Sequence, residues 1–332
     1  MASLLMSVDS ANTLAPPLGL RMLQVGLAFV ASTWRYDMLK KVGVVGSGMM
    51  GAGIAECAAV AGHEVVMRSR ARSTADAVIA TLEKSLGKRV AKGSLTDEER
   101  TSALARVTAT SDLSDLGDVD LVIESVLEDL PTKKHLFNEL DRVCVESAVL
   151  ATNTSTLPVI ELAMVTGRPD RVCGIHFFNP APRMSLVEIV RPLTASQETI
   201  DIARAFSEAC QKTPVEVADR AGFIVNALLF PYLNNAVKLF EQGTASKEDI
   251  DTAMKGGCGF PMGPFALLDL VGLDTSVAIL DVLYAESKDP SCAAAPLLRR
   301  MVSAEMLGRK SGKGFYDYHQ PESNHSAQSR PS

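Results

Sequence analysis

"VGVVGSGMMGAGIA", residues 42–55, decides how this chain folds. A β-branched run ends at Gly46, and Gly48 and Gly51 complete a G-x-G-x-x-G spacing that opens an alanine-rich helical pattern. In that order the first glycine makes a tight turn and the second lets the backbone approach a pyrophosphate. The third brings helix against strand, and the helix N-terminus faces the phosphates. Ser47, Met49 and Met50 fill the same loop and are counted among the cofactor contacts. The spacing alone is weak evidence. Here a strand precedes it, a helix follows it, and a second strand, "HEVVMRS" (63–69), ends 23 residues beyond Gly46. The motif therefore predicts a nicotinamide dinucleotide site.

The residue that ends this second strand is unusual. A carboxylate normally stands there to hold the adenosine ribose. This chain has Ser69, with Arg68, Arg70 and Arg72 around it. Serine removes the repulsion that a carboxylate would exert on a 2′-phosphate and can donate a hydrogen bond, while Arg70 can pair with the phosphate. The expectation favours NADP over NAD. The alternative is that the three arginines are solvated loop charges.

Working outward, residues 39–219 alternate short strand runs with helical patterns. Strands are expected in 40–46, 63–69, 119–126, 147–154, 171–178 and 185–191, and helices in 50–61, 74–92 and 131–143. Nearly continuous apolar runs such as "LVIESV" suit strands covered on both faces. After "DRAGF" (219–223) the pattern becomes helical: "GFIVNALLFPYLNNAVKLFEQG" reads as one long helix kinked near Pro231, and Ser246 caps the next. The fold class expected is α/β, a Rossmann-type doubly wound sheet domain (38–220) followed by an all-α domain (221–320). Residues 1–37 are expected to be a poorly ordered, dispensable extension and 321–332 a disordered tail.

Bulk properties narrow the function. At 47% hydrophobic and 22% charged the chain reads as globular, and a net charge of −6 argues against nucleic acid as a partner. The six cysteines show no C-x-x-C spacing, so neither a disulfide framework nor a metal site is expected, and a cytoplasmic location fits. The apolar run at 22–32 is too short to span a bilayer, so no membrane partner is expected.

"RVCGIHFFNPAPRMSLVEIVR" (171–191) places His176 on one strand and Glu188 on the next, twelve residues on. A carboxylate beside an imidazole fixes its tautomer and stabilises its cation, as a general base requires. By itself the pair also fits a structural hydrogen bond. Together with "GSGMMGAGIAE", "VIESVLEDLPTKKHLFNELD", "ATNTSTLP", "DRAGFIVNALL", "GFPMGPFALLDLVGLDT" and "LGRKSGKGFYDY", in this order, the chain resembles the L-3-hydroxyacyl-CoA dehydrogenase family from about Lys40 to Tyr318. Within that family it is most similar to the single-function bacterial 3-hydroxybutyryl-CoA enzymes.

The resemblance implies a dehydrogenase that interconverts (S)-3-hydroxyacyl-CoA and 3-oxoacyl-CoA. His176 would be the base, Glu188 its orienting acid, and Ser155 a hydrogen-bond donor to the substrate oxygen. Asn226, from the helical half, would position substrate across the cleft. Glu128, Lys133, Asn153, Asn179 and Lys310 would contact the cofactor, and Ser85 and Lys92 the CoA moiety. A homodimer is implied too. The chain departs from the family pattern at Ser69, at Thr152, and at Arg183, where apolar residues are common. Other readings are a dehydrogenase of a carrier-protein-bound or free hydroxy acid, and a non-catalytic family member.

Overall fold

The computed structural model describes residues 39–319, so the expected N-terminal extension and polar tail lie outside the described residues. Eight strands are present: β1 (Lys41–Val45), β2 (Glu64–Arg68), β3 (Val107–Thr110), β4 (Leu121–Glu124), β5 (Val149–Thr152), β6 (Val172–Phe177), β7 (Leu186–Arg191) and β8 (Thr213–Ala218). They form one sheet in the order β3-β2-β1-β4-β5-β6-β7-β8. The first six run parallel, β7 is antiparallel to β6, and β8 is parallel to β7.

Period-two side-chain alternation divides the sheet's apolar residues between two cores. Along β4, Leu121 and Ile123 join the core built with α1 (Met49–Val60), α2 (Arg72–Ala91) and α6 (Gln197–Ala209). Val122 joins the opposite core, with α4 (Leu130–Val143) and α5 (Val159–Ala163). Helices thus cover both faces, as continuous apolar strands require. The remaining helix of this half, α3 (Asp97–Ala105), opens with a capping box between Thr96 and Glu99.

A third core belongs to the helical half: α7 (Val225–Glu241), α8 (Lys247–Cys258), α9 (Pro264–Val271), α10 (Leu273–Ser287) and α11 (Pro296–Ser303). Ser246 caps α8 by accepting from the Asp249 N–H, as expected. Two buried carboxylates tie this half together. Asp251 accepts from the N–H groups of Phe265 and Ala266 at the start of α9. Asp269 accepts from those of Phe315 and Tyr316, which locks the segment "GKGFYDY" onto the bundle.

Several sequence expectations are corrected in detail. Strands β3 and β8 were not anticipated; they are the two edges of the sheet, where one flank is open and fewer apolar residues are needed. Pro214 sits in β8, a position tolerated on an edge. Helix α7 runs through Pro231 as the one long element expected, but it begins only at Val225, because Gly222 (φ 71°) and Phe223 (φ 52°) are left-handed. The pattern over 264–287 is two helices, broken at Gly272 (φ 102°).

Candidate active site

The strand order reverses between β1 and β4, and the crevice at their carboxyl ends is where an open α/β sheet binds its ligand. The glycine-rich turn lies there. A Cβ on Gly46 (φ 119°) would stand 2.3 Å from the Ser125 carbonyl oxygen, and one on Gly51 would stand 1.8 Å from that of Gly46. Both positions therefore require glycine. Gly48 differs: it precedes the first turn of α1, and a Cβ there would meet nothing within 4 Å. That open space, at an uncapped helix N-terminus with no acid in its first turn, fits a dinucleotide pyrophosphate.

At the end of β2, Ser69 is buried and its hydroxyl meets those of Ser47 (2.8 Å) and Thr74. Thr74 gives its own proton to the Ala71 carbonyl, so the Ser69 proton goes to Thr74 and that of Ser47 to Ser69. This corrects one expectation. Ser69 offers no free proton to a phosphate in this arrangement; its contribution is the absence of a negative charge. Arg72 is paired with Asp76 (3.0 Å), and the buried Arg68 Nε has no partner. Arg70 is exposed and, among the described residues, makes no hydrogen bond or ion pair.

The antiparallel register of β6 and β7 sets His176 directly opposite Glu188. His176 Nδ1 lies 2.8 Å from Glu188 Oε2, and Nε2 lies 3.2 Å from Ser155 Oγ. Both members of the pair are buried, with Phe178 and Phe223 packed against the imidazole. The second oxygen of Glu188 accepts from the N–H groups of Ile224 and Val225, each at 3.0 Å. These are the donors that the left-handed residues Gly222 and Phe223 present at the start of α7. Burial pushes the Glu188 carboxyl up. The hydrogen bonds from His176 and the two amides outweigh that effect and hold it below its usual range. Glu188 is thus an ionised carboxylate fixed at both oxygens, one holding the imidazole and the other the helical half.

Ser155 sits on a turn that a second network holds. Glu124 is fully buried and accepts from Lys133 Nζ (2.7 Å) and Thr152 Oγ1 (2.7 Å). Lys133 also meets Glu128 (3.2 Å), whose other oxygen accepts from the Thr154 hydroxyl and the Ser155 N–H. Asn153 Oδ1 accepts from the Phe177 N–H, tying this turn to the catalytic strand. Removing the ammonium would leave Glu124 buried without its charge partner. Lys133→Met should therefore cost roughly 3–5 kcal/mol of stability, measured by urea unfolding; a loss below about 1 kcal/mol would show that the Glu124–Lys133 contact does not hold this turn.

The structure brings His176, Glu188 and Ser155 into hydrogen-bond contact, and Asn226 Nδ2 reaches the Ser155 carbonyl at 3.5 Å. Glu128, Lys133 and Asn153 surround the same turn. Asn179 is exposed just beyond β6. Lys310 lies elsewhere, paired with Asp274 at the start of α10. Ser85 and Lys92 lie on α2 and at its end, outside the His176 cluster. Sequence reasoning missed Glu124 and the Ile224 and Val225 amides. An acid inside the apolar run "LVIES", nine residues before Lys133, was the available signal for Glu124; nothing local marked the amides.

Among the described residues no helix is long and apolar enough to cross a membrane, and no group of acids, histidines and cysteines could hold a metal. Residues 41–220 match the family model of the 3-hydroxyacyl-CoA dehydrogenase NAD binding domain, and 222–318 that of its C-terminal domain. The chain is 47% identical over 278 residues to 3-hydroxybutyryl-CoA dehydrogenase of Clostridioides difficile, covering 84% of this chain and 99% of that protein. It is 43% identical to human mitochondrial hydroxyacyl-coenzyme A dehydrogenase, covering 85% and 92%. Its fold matches the crystal structure of (S)-3-hydroxybutyryl-CoA dehydrogenase from Ralstonia eutropha with TM-score 0.83 at 42% identity, covering 85% and 100%. With both family domains matched in sequence order and relatives aligned over nearly their full length, the chain belongs to the 3-hydroxyacyl-CoA dehydrogenase family and is a nicotinamide-dependent dehydrogenase.

Proposed function

We propose that the chain interconverts (S)-3-hydroxybutyryl-CoA and acetoacetyl-CoA, using NADP(H) in preference to NAD(H). The observation that carries the chemistry is the Glu188–His176–Ser155 chain of contacts, which leaves one imidazole nitrogen facing a hydroxyl at the mouth of the crevice. Held at the glycine-rich turn by Gly46, Gly48 and the N-terminus of α1, a nicotinamide cofactor would supply the hydride acceptor for oxidation at substrate C3 and the hydride donor for reduction. His176 Nε2 takes the 3-hydroxyl proton as the C3–O bond becomes a carbonyl, and gives it back in the reverse direction. Glu188 keeps the proton on Nδ1 and stabilises the imidazolium that forms. Ser155 donates to the same oxygen and Asn226 holds the substrate from the helical half. Each half supplies a polar group, so closure of the two halves accompanies binding.

The cofactor preference rests on the loss of the acid at Ser69 and on the unpartnered Arg70 beside it. The chain is proposed to act as a homodimer, since Ile224, Leu228, Leu239 and Leu270 leave apolar surface exposed on the helical half.

The test is reduction of acetoacetyl-CoA by the purified protein with NADPH and NADH in parallel. Turnover that prefers NADPH supports both parts; a preference for NADH keeps the reaction and removes the 2′-phosphate site. Arg70→Ala should lower kcat/KM for NADPH about 10–100-fold, as expected for loss of a charge-assisted contact, with much less effect on NADH. An unchanged NADPH:NADH ratio would count against Arg70.

A further inference from the structure

Residues 219–226 join the sheet half to the helical half and reach the proton-transfer chain from both ends. Pro158 gives α5 no side-chain cap, and the linker supplies one. The two oxygens of Asp219 accept from the N–H groups of Val159 (3.0 Å) and Ile160 (2.7 Å), just beyond the Ser155 turn. Next, the Ala221 N–H donates to one oxygen of Glu286 on α10 (2.9 Å), and Arg220 pairs with the other (2.9 Å). At the far end Ile224 and Val225 donate to Glu188, and Asn226 reaches the Ser155 carbonyl.

Between these anchors stands Phe223, which the mechanism above does not use. Its backbone is left-handed (φ 52°), as is that of Gly222. Glycine takes this conformation freely, whereas a residue with a side chain keeps it only where its surroundings fix it. Here they do. The Phe223 N–H donates to the Arg220 carbonyl (3.0 Å). Gly222 is pressed against α10, where a Cβ would stand 2.7 Å from Leu283 Cδ2. The Phe223 ring belongs to the sheet core that contains Val159, Leu162 and Val190, although the chain is already turning into the helical half. Its centroid lies 5.4 Å from that of the His176 ring.

The linker thus plants one side chain in the sheet half, beside the imidazole, and the two amides that follow it meet Glu188. If the ring left its seat, the turn would relax to an ordinary conformation and carry both amides away from the carboxylate. We propose that Phe223 is a positioning residue for proton transfer: its seated ring holds the turn that aims the Ile224 and Val225 amides at Glu188, and thereby sets the tautomer and direction of His176. The proposal rests on the reading above that His176 carries the proton.

Three variants of the full chain separate ring from backbone. Phe223→Ala empties the seat, and Phe223→Gly empties it while making the left-handed conformation free. Both should lower kcat for acetoacetyl-CoA reduction roughly 10–100-fold, the scale of a reacting group misplaced by ~1 Å. KM for acetoacetyl-CoA and Kd for NADPH should move by less than about threefold, because the loss falls on the chemical step. Phe223→Leu, which refills the seat with an apolar group, should rescue kcat to within about fivefold of wild type. The second readout is the ¹⁵N spectrum of the His176 ring, assigned by its absence from His176→Ala. Wild type and Phe223→Leu should show the proton on Nδ1; Phe223→Ala and Phe223→Gly should show it shared between both nitrogens.

A Phe223→Gly variant as active as wild type would assign the turn to backbone conformation alone and overturn the role of the ring. An unchanged His176 tautomer in Phe223→Ala and Phe223→Gly would overturn the proposal as well. So would a fall in kcat matched by an equal fall in the number of NADPH-binding sites, since that is loss of folded protein. If wild type reduces no acetoacetyl-CoA yet the tautomer follows Phe223 as stated, the positioning role stands and the substrate assignment falls.

Discussion

His176→Ala is expected to reduce acetoacetyl-CoA roughly 10²–10⁴-fold more slowly than the wild type, while NADPH binding, followed by quenching of its fluorescence, stays within about twofold. The magnitude is that of a lost general acid–base at the reacting oxygen. The imidazole is held by four neighbours at once: Glu188 at Nδ1, Ser155 at Nε2 and the rings of Phe178 and Phe223. Alanine removes the proton carrier and leaves a void in that packing. His176→Gln, which fills more of the space, separates the two effects. If both variants keep turnover within about fivefold, another group carries the proton.

Glu188→Gln should be almost as damaging, by about 10³-fold or more, although no substrate atom is assigned to Glu188. One amide end can still accept from the Ile224 and Val225 N–H groups. The other then turns an NH₂ donor towards His176 Nδ1. The ring responds by placing its proton on Nε2, the nitrogen that must be free to accept one, as in other His–carboxylate pairs.

The same substitution has a signature in stability. The folded Glu188 carboxyl titrates below its ordinary value of 4.5. Its ionised form therefore stabilises the protein at pH above 4.5, and that contribution is lost as pH falls through the lower folded value. Thermal unfolding from pH 7 to pH 3 should show the wild type losing stability more steeply below 4.5 than Glu188→Gln. Parallel acid limbs would mean that Glu188 is not held ionised by the folded structure.

The cofactor loop was legible because its demands are local. Gly51 is required by a backbone contact within one strand–turn–helix unit, and Gly46 by its left-handed turn as well as by the Ser125 carbonyl beside it. The strand pair carrying His176 and Glu188 was legible for a similar reason: one short turn joins them, so a spacing of twelve residues suffices to put the side chains opposite each other. The edge strands β3 and β8 were not legible. "VTAT" and "TPVEVA" bury little on their own and become strands because a neighbouring strand already offers hydrogen-bond partners.

The sequence by itself determined the two-part architecture, the dinucleotide loop and the spacing that sets His176 opposite Glu188, while Ser155 and Asn226 entered as substrate contacts implied by the family resemblance. Those features depend on residue type at short range or on motifs whose order is preserved. Only the tertiary structure decided that Glu188 is gripped by the Ile224 and Val225 amides, that Glu124 and Lys133 form a buried pair behind the Ser155 turn, and that the Ser69 proton points inward to Thr74. Apart from the Glu124–Lys133 charge pair, which an acid in an apolar run does signal, the partner is a backbone group or a hydroxyl direction. Such groups carry no signature in a residue's identity, and the fold has to close before a donor or a charge finds where it must go.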